Sequence, residues 1–464
     1  MRAQVQAQFT LVGSGPAGVA AAITAVRDGF PPEGITIIEK GRRHDDSRVS
    51  GFGGAGANSD GKLVFESDIG GELASYVGGD IAPLFADVEQ LYLGFLPPEQ
   101  GAHYRQIRER LRSERDYGPI ERGCFRAGLQ FVPAELVPLG TRTCWAIVDA
   151  WYEYLTAQGV TILLETEVER FLPDPAGGWC VQYVRGGEVG SLTTRWLLIA
   201  PGRSGHDFLV RALAENEIDA VHGPIDIGIR VETDARLAAP LTDRVYEFKL
   251  RGLIEGSHVR TFCVCPQGTV IAEQYDEEMV AVNGQTDPEN PTGRTNFAVL
   301  HTVRLDEPCH RPNQFAEAYI RTASILGARN PIVQTWPKFA ERRRSRHKDI
   351  ETAFIQPTLT RALPGDIRLA LNAKSCRVIE AFMHALDGPG LLEGLCSNRT
   401  LLYAPEAKLY TVRPALLSPC LESELPDLFF AGDGSGITRG LVQASASGVV
   451  VGREVARRAH EQTR

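Results

Sequence analysis

The segment Phe9-Thr10-Leu11-Val12-Gly13-Ser14-Gly15-Pro16-Ala17-Gly18 joins a short apolar run to an alanine-rich one through three glycines. The apolar run reads as a buried strand, and Ala17 to about Asp28 reads as a helix. That context gives the Gly-x-Gly-x-x-Gly pattern its meaning. Gly13 allows a tight turn, Gly15 lets a pyrophosphate approach the backbone with no Cβ in the way, and Gly18 permits close packing of helix on strand. Pro16 and Ala17 complete the motif at the start of the helix, where free N–H groups and the positive dipole end favour phosphate. Ile35-Thr36-Ile37-Ile38 is the next β-branched run, so strand, helix and strand follow one another as in a parallel sheet. Glu39 closes the second strand, where a carboxylate accepts hydrogen bonds from both ribose hydroxyls and repels a 2′-phosphate.

The 464 residues carry a net charge of -9 and are 43% hydrophobic and 23% charged. That balance is ordinary for a globular chain and argues against a broad basic surface for nucleic acid or anionic membrane. No apolar run approaches the roughly 20 residues of a membrane span. Met1 to Gln8 is polar and runs straight into the first strand, so no signal peptide is expected. Nine cysteines with no CxxC pair point to reduced thiols in a cytoplasmic enzyme. The ten histidines show no metal-ligand spacing, so no metal site is expected.

Ala146 to Gln158 reads as a helix, Val160 to Leu164 as a strand, and Trp179 to Arg185 with Leu192 to Leu198 as a hairpin or meander. Ile225–Glu232, Arg244–Leu250, Val259–Cys265, Val270–Glu273 and Phe297–Arg304 form a β-rich middle, with helices over Gln314–Leu326 and Arg377–Leu386. These boundaries give a cofactor domain over 1–220 with a helical insertion at about 60–140, a substrate (cap) domain over 221–400, and a return to the cofactor domain over 401–464.

Near the far end, Leu428 to Ala431 reads as another buried strand, followed by Gly432-Asp433-Gly434-Ser435-Gly436-Ile437-Thr438-Arg439-Gly440 and a helix. A carboxylate at the tip of such a strand can hold a ribityl chain, and N–H groups at the following helix can face a flavin ring or pyrophosphate. Gly434 and Gly440 belong to this segment. Paired with the first fingerprint, it is the expected distal half of an FAD site. Between Gly202 and Leu428 no second Gly-x-Gly-x-x-Gly follows a strand, so a dedicated nicotinamide domain is not expected.

The two segments together resemble the glutathione-reductase-like flavoprotein superfamily, and more narrowly the bacterial FAD-dependent dehydrogenases. The resemblance extends through Ser50–Leu63, Pro201–Gly205, Val221–Glu232, Arg260–Gly268, Val282–Gly284, Leu402–Glu406 and Gly432–Gly448. It implies an α/β fold: a Rossmann-like FAD-binding domain of the glutathione-reductase type with an inserted β-rich α+β substrate domain. It further implies that Gly13, Gly15 and Gly18 hold the pyrophosphate, that Glu39 binds the adenosine ribose with Lys40 beside it, and that Val168 offers backbone groups to adenine. Gly53, Gly54, Ala55 and Gly56 would pass along the middle of the flavin, and Asp433 would bind the ribityl chain. Ala200-Pro201-Gly202 stands where the superfamily has Ala-Thr-Gly, so Gly202 is assigned across a departure at the proline.

The implied activity is hydride transfer between an organic small molecule and flavin N5, with substrate held between the flavin domain and the β-rich cap. NAD(P)H, O2, a quinone or an electron-transfer protein are left open as the second redox partner, and neither nucleic acid nor membrane is expected as a partner. Lys62, behind the glycine-rich loop, is a catalytic candidate because a cation there stabilises a reduced, anionic ring. Glu406 is the second candidate, as a residue facing substrate. Rival readings are a flavin monooxygenase using NAD(P)H and O2, a flavin-dependent RNA-modifying protein supported only by the basic run Arg342–Lys348, and a non-catalytic flavin-binding scaffold. That basic run reads otherwise as a solvated loop. Cys263 and Cys265, two apart on one face of a strand, could form a redox or metal pair, but no His or Cys cluster accompanies them and they read as buried structural thiols.

Overall fold

The computed structural model describes residues 5–44, 50–57, 61–113, 116–275, 277–287, 290–305, 312–408 and 412–463. The first four residues of the polar N-terminal stretch, and 58–60 within Ser50–Leu63, lie outside this range. The chain forms two compact units. One comprises Met1–Ser113, Glu135–Gly223 and Tyr410–Arg464, the other Glu114–Ala134 and Pro224–Leu409.

The first unit is built on a five-stranded parallel sheet in the spatial order 428–430, 196–199, 9–12, 35–38, 161–163. Every residue of Phe9–Val12, Ile35–Ile38, Trp196–Ile199 and Leu428–Phe430 is buried. Strands covered on both faces read as unbroken apolar runs, and these four do. The chain steps from Phe9–Val12 to Ile35–Ile38 on one side, whereas Trp196–Ile199 lies on the other. The order therefore reverses beside Phe9–Val12, and in open α/β sheets a ligand sits outside the carboxyl ends of the strands at such a reversal.

Helix Pro16–Arg27 covers the sheet and packs against the last helix, Leu441–Thr463. A Cβ on Gly448 would lie 2.0 Å from the Ala17 carbonyl oxygen, and one on Gly452 2.4 Å from that of Ala21. Glycine on one helix and alanine on the other thus let the two backbones meet. A four-stranded sheet (5–6, 188–194, 179–185, 166–173) completes the unit's β structure together with two small pairs. Leu192–Leu198 divides between two strands: Glu188–Thr194 belongs to this sheet and Trp196–Ile199, expected as a strand over Trp196–Ala200, to the parallel one, with exposed Arg195 between them.

The second unit is an eight-stranded mixed sheet in the order 363–364, 332–335, 400–408, 225–234, 294–303, 257–265, 250–254, 129–131. Its central strand, Ile225–Asp234, is buried at every position. Ile225, Ile227, Ile229 and Val231 enter an apolar core with helices Pro312–Leu326 and Ala373–Leu386. Alternation turns Asp226, Arg230 and Glu232 to the opposite face, which the hairpin Thr269–Gln274/Val280–Gln285 covers in part.

Three sequence expectations are corrected here. Residues 114–134, placed in the first unit's helical insertion, belong to the second because Leu129–Phe131 pairs with Leu250–Gly252. The return to the first unit comes at 410 rather than 401, because Thr400–Lys408 pairs with the central strand. Arg244–Leu250 is irregular until Leu250, where the strand begins. No described helix is long and apolar enough to cross a membrane.

Candidate functional site

Three turns of the first unit meet at the carboxyl ends of adjacent strands. Gly13 has φ +102, and its N–H donates to the Ile38 carbonyl at 2.9 Å. A Cβ at Gly13 would stand 2.1 Å from the Ala200 carbonyl oxygen, and one at Gly18 2.0 Å from that of Gly13. Both glycines are thus demanded by the protein's own backbone. Gly15 differs: at φ -70 and ψ -176, ordinary extended backbone, a Cβ there would meet nothing within 4 Å. The space above Gly15 is open, beside a twelve-residue helix whose first turn carries no acidic residue. This clearance and the free N–H groups suit a pyrophosphate.

The mid-chain turn stays in the site despite Pro201. Gly202 has φ +65 with open space at its Cβ position, and a Cβ on Gly434 would lie 2.4 Å from the Gly202 nitrogen. A Cβ on Gly432 would lie 2.9 Å from that of Ala17. Asp433 is half-buried, its Oδ1 accepting from the Thr438 hydroxyl at 2.8 Å. The long helix starts only at Leu441, after a single 3-10 turn over Asp433–Ser435. At the helix's start the Gly440 carbonyl accepts from the Ala444 N–H at 2.9 Å, and Arg439 N–H donates to the Gly70 carbonyl at 2.6 Å.

Glu39 is buried and its carboxylate is fully used by the protein. Oε2 accepts from the Ser14 N–H at 3.0 Å and the Ser14 hydroxyl at 2.8 Å, and Oε1 from the N–H groups of Gly41 at 2.9 Å and Gly51 at 3.0 Å. Four donors fill the roughly four lone-pair sites of a carboxylate. Glu39 therefore clamps the glycine turn to the segment containing Gly51. A ribose hydroxyl would have to take the place of the Ser14 hydroxyl, the one donor of the four on a rotatable side chain. Ser14 and Gly51 were missed in the sequence because neither residue type signals a carboxylate partner.

The Gly53–Gly56 segment lies against the same turn. Gly53 N–H donates to the Ser14 carbonyl at 2.9 Å, a Cβ on Gly54 would stand 3.1 Å from the Gly15 Cα, and one on Gly56 2.8 Å from Pro16 Cγ. Ala55, between them, is half-buried. Lys40 is exposed, Val168 is buried in the strand Thr166–Pro173, and half-buried Lys62 opens the strand Lys62–Val64, paired with Leu136–Pro138. Thr166 N–H donates to the Glu39 carbonyl at 3.0 Å, which ties Val168's strand to the end of the second parallel strand.

Glu406 belongs to the second unit, on Thr400–Lys408. It is fully buried, with Lys408 Nζ 2.8 Å from Oε1 and Arg230 Nη1 3.5 Å from Oε2. None of these contacts has hydrogen-bond alignment, and the carboxylate oxygens, Arg230 Nη1 and Asn296 Nδ2 are left without hydrogen bonds. Burial would lower both cations' pKa values, yet Glu406 holds each above its ordinary value, Arg230 with help from Cys263 and Cys265. Two buried cations face one carboxylate. Nearby, burial raises the pKa of Glu232 against hydrogen bonds from Thr358 and Tyr403. The signal for this cluster was legible: Arg230 and Glu232 stand in an otherwise apolar strand.

In the basic run, Arg342–Arg344 and Arg346–Lys348 are exposed while Ser345 is buried, its hydroxyl accepting from the Thr335 N–H at 3.0 Å.

Residues 227–408 match the model of a family described as "FAD-dependent protein, C-terminal domain-like". An uncharacterized protein of Clostridium beijerinckii is 24% identical over 97% of this chain and 81% of its own length. Among solved structures, the chain is similar to a 3-ketosteroid-delta4-(5alpha)-dehydrogenase of Rhodococcus jostii RHA1 at 13% identity and TM-score 0.40, covering 98% of both chains. It is similar also to p-nitrophenol 4-monooxygenase PnpA of Pseudomonas putida DLL-E4 at 10% identity and TM-score 0.40, covering 98% of this chain and 80% of that one. At scores of this size the structural likeness bears on neither fold nor chemistry. The family description names FAD, the cofactor expected from the two ends of the sequence.

Proposed function

We propose that the chain is an FAD-dependent oxidoreductase of the glutathione-reductase-like superfamily, of the dehydrogenase or oxidase type, acting on a small organic substrate. The observation that carries this reading is the open space at Gly15, at the strand-order reversal of a parallel sheet whose neighbouring strands lead into the turns of Gly202 and Asp433. FAD supplies transfer of a hydride or of electrons at its isoalloxazine ring; the protein's part is to bind, orient and shield. The N–H groups beyond Gly15 hold the pyrophosphate, Glu39 fixes the turn and meets the adenosine ribose, and Asp433 takes the ribityl chain. Gly53–Gly56 lines the flavin's middle, and Lys62 supplies a cation to the reduced ring. Glu406, expected from the sequence to face substrate, is instead fully buried in the second unit between Arg230 and Lys408.

The test is purification with FAD, followed by an anaerobic screen for compounds that bleach the bound flavin. Bleaching by an alcohol, amine or saturated carbonyl compound supports the dehydrogenase reading. NAD(P)H oxidation with an oxygen atom delivered into product assigns a monooxygenase instead. Protein that takes up no FAD removes the reading altogether.

A further inference from the structure

We propose that Cys263 and Cys265 form a redox-active dithiol in the second unit, with Arg230 as the residue that positions and polarises it. The strand Ser257–Cys265 carries an extra residue here: Phe262 stands opposite Ala298 and Cys265 opposite Asn296, three steps against two. Such a bulge sets one residue in the left-handed region, a place that favours glycine. Cys263 occupies it, at φ +46. A non-glycine residue held in the left-handed region is strained, and strain of this kind gathers where geometry serves a function.

The bulge brings the Cys263 carbonyl and the Cys265 sulfur to one guanidinium. Arg230 Nη2 donates to the Cys263 carbonyl at 2.7 Å and lies 3.5 Å from Cys265 Sγ, both cysteines raise the Arg230 pKa, and the Cys263 thiol faces Asn283 Oδ1 at 3.9 Å. The Cys265 thiol points to the Cys263 carbonyl at 3.6 Å. Arg230 is itself fixed, its Nε donating to Asn296 Oδ1 at 2.8 Å, under a hairpin in which a Cβ on Gly284 would collide with Nη2 at 1.8 Å. Because Lys408 shares the charge of Glu406, the guanidinium keeps part of its own for the sulfurs. A cation in contact with a thiol favours the thiolate, the reactive form. Cys263 is half-buried and Cys265 fully buried, which assigns attack to the first and resolution to the second.

The chemistry is thiol–disulfide exchange with a low-molecular-weight disulfide. The Cys263 thiolate attacks one sulfur of that disulfide, its S–S bond breaks, and one thiolate leaves. Cys265 then attacks the Cys263 sulfur, the mixed disulfide breaks, and the second thiolate leaves. Two protein thiols are oxidised to one disulfide, the small disulfide is reduced to two thiols, and the two protein protons pass to the departing thiolates.

The test uses the full chain with oxidised glutathione, read by peptide mapping. A disulfide between 263 and 265 is expected, and Cys265→Ser is expected to arrest at a mixed disulfide on Cys263. At neutral pH, iodoacetamide should label Cys263 on the order of tenfold faster than Cys180 or Cys396, whose pKa values burial raises. Arg230→Gln should erase that advantage, with thermal unfolding followed in parallel. Should that variant fail to fold, the Cys265→Ser arrest decides alone. Labelling of Cys263 no faster than Cys180, or thiols left free by oxidised glutathione, overturns the proposal.

Discussion

Replacing Gly15 and Gly13 by alanine separates folding from cofactor binding. At Gly15 the φ and ψ suit any L-residue, and the added methyl meets nothing within 4 Å. Alanine there restricts the unfolded chain, worth about 0.4–1 kcal/mol of stability, but is a poorer helix N-cap than glycine by up to about 1 kcal/mol. The two nearly cancel, so the cofactor-free protein should keep its stability to within about 1 kcal/mol. The same methyl occupies the clearance the pyrophosphate needs, and FAD affinity should fall on the order of 100-fold, equivalent to about 2.7 kcal/mol. Gly13→Ala is the converse case. Its φ of +102 and a methyl 2.1 Å from the Ala200 oxygen strain the fold itself, by about 3 kcal/mol or more. Denaturant unfolding of cofactor-free protein gives the first quantity, and titration of FAD fluorescence the second. Wild-type FAD affinity in Gly15→Ala, or equal loss of stability in both variants, would refute the reasoning.

Glu406→Gln leaves Arg230 and Lys408 buried without their shared carboxylate, so unfolding free energy should drop by about 3–5 kcal/mol in denaturant titration. Gly448→Leu drives a side chain into the Ala17 carbonyl and should cost about 1–3 kcal/mol by overpacking, with a parallel loss of retained flavin seen in the absorbance spectrum. Burial lowers the pKa of His301, whose Nδ1 lies 2.9 Å from Ser375 Oγ, and of His206. The unfolded chain then binds more protons below about pH 6.5, so stability falls as pH drops through that value. His301→Gln should flatten that slope in melting curves taken between pH 7.5 and 5.5, and an unchanged slope counts against it. Charge reversal at Arg342, Arg344 and Arg346, all exposed, should leave stability within about 0.5 kcal/mol and flavin content unchanged.

Signals confined to a few neighbouring residues were legible in the sequence. The glycine turn, the first two strands and the strand Leu428–Phe430 are local patterns, and the structure brings them to one end of one sheet. What escaped depends on partners far along the chain. Thr400–Lys408 was not identified as a strand because burial on both faces removes its alternation and Pro405 argues against a central position. Leu129–Phe131 was assigned to the wrong unit because its pairing with Leu250–Gly252 spans more than a hundred residues of sequence. The left-handed Cys263 and the four donors to Glu39 have no sequence signature at all, since each is set by a neighbour's backbone.

The parallel sheet of the first unit takes its strands from residues 9–12 and from 428–430, with the Leu441–Thr463 helix pressed on Pro16–Arg27. The edge strand Leu428–Phe430, which pairs with Trp196–Ile199, and the covering helix are therefore translated about 400 residues after the glycine turn. The second unit is complete by residue 409, so it can fold while the first sheet still lacks an edge strand. A unit nested within another in sequence can thus be ready before the sheet that flanks it, and the turn after Leu428–Phe430 can reach Gly202 only once that strand has joined Trp196–Ile199.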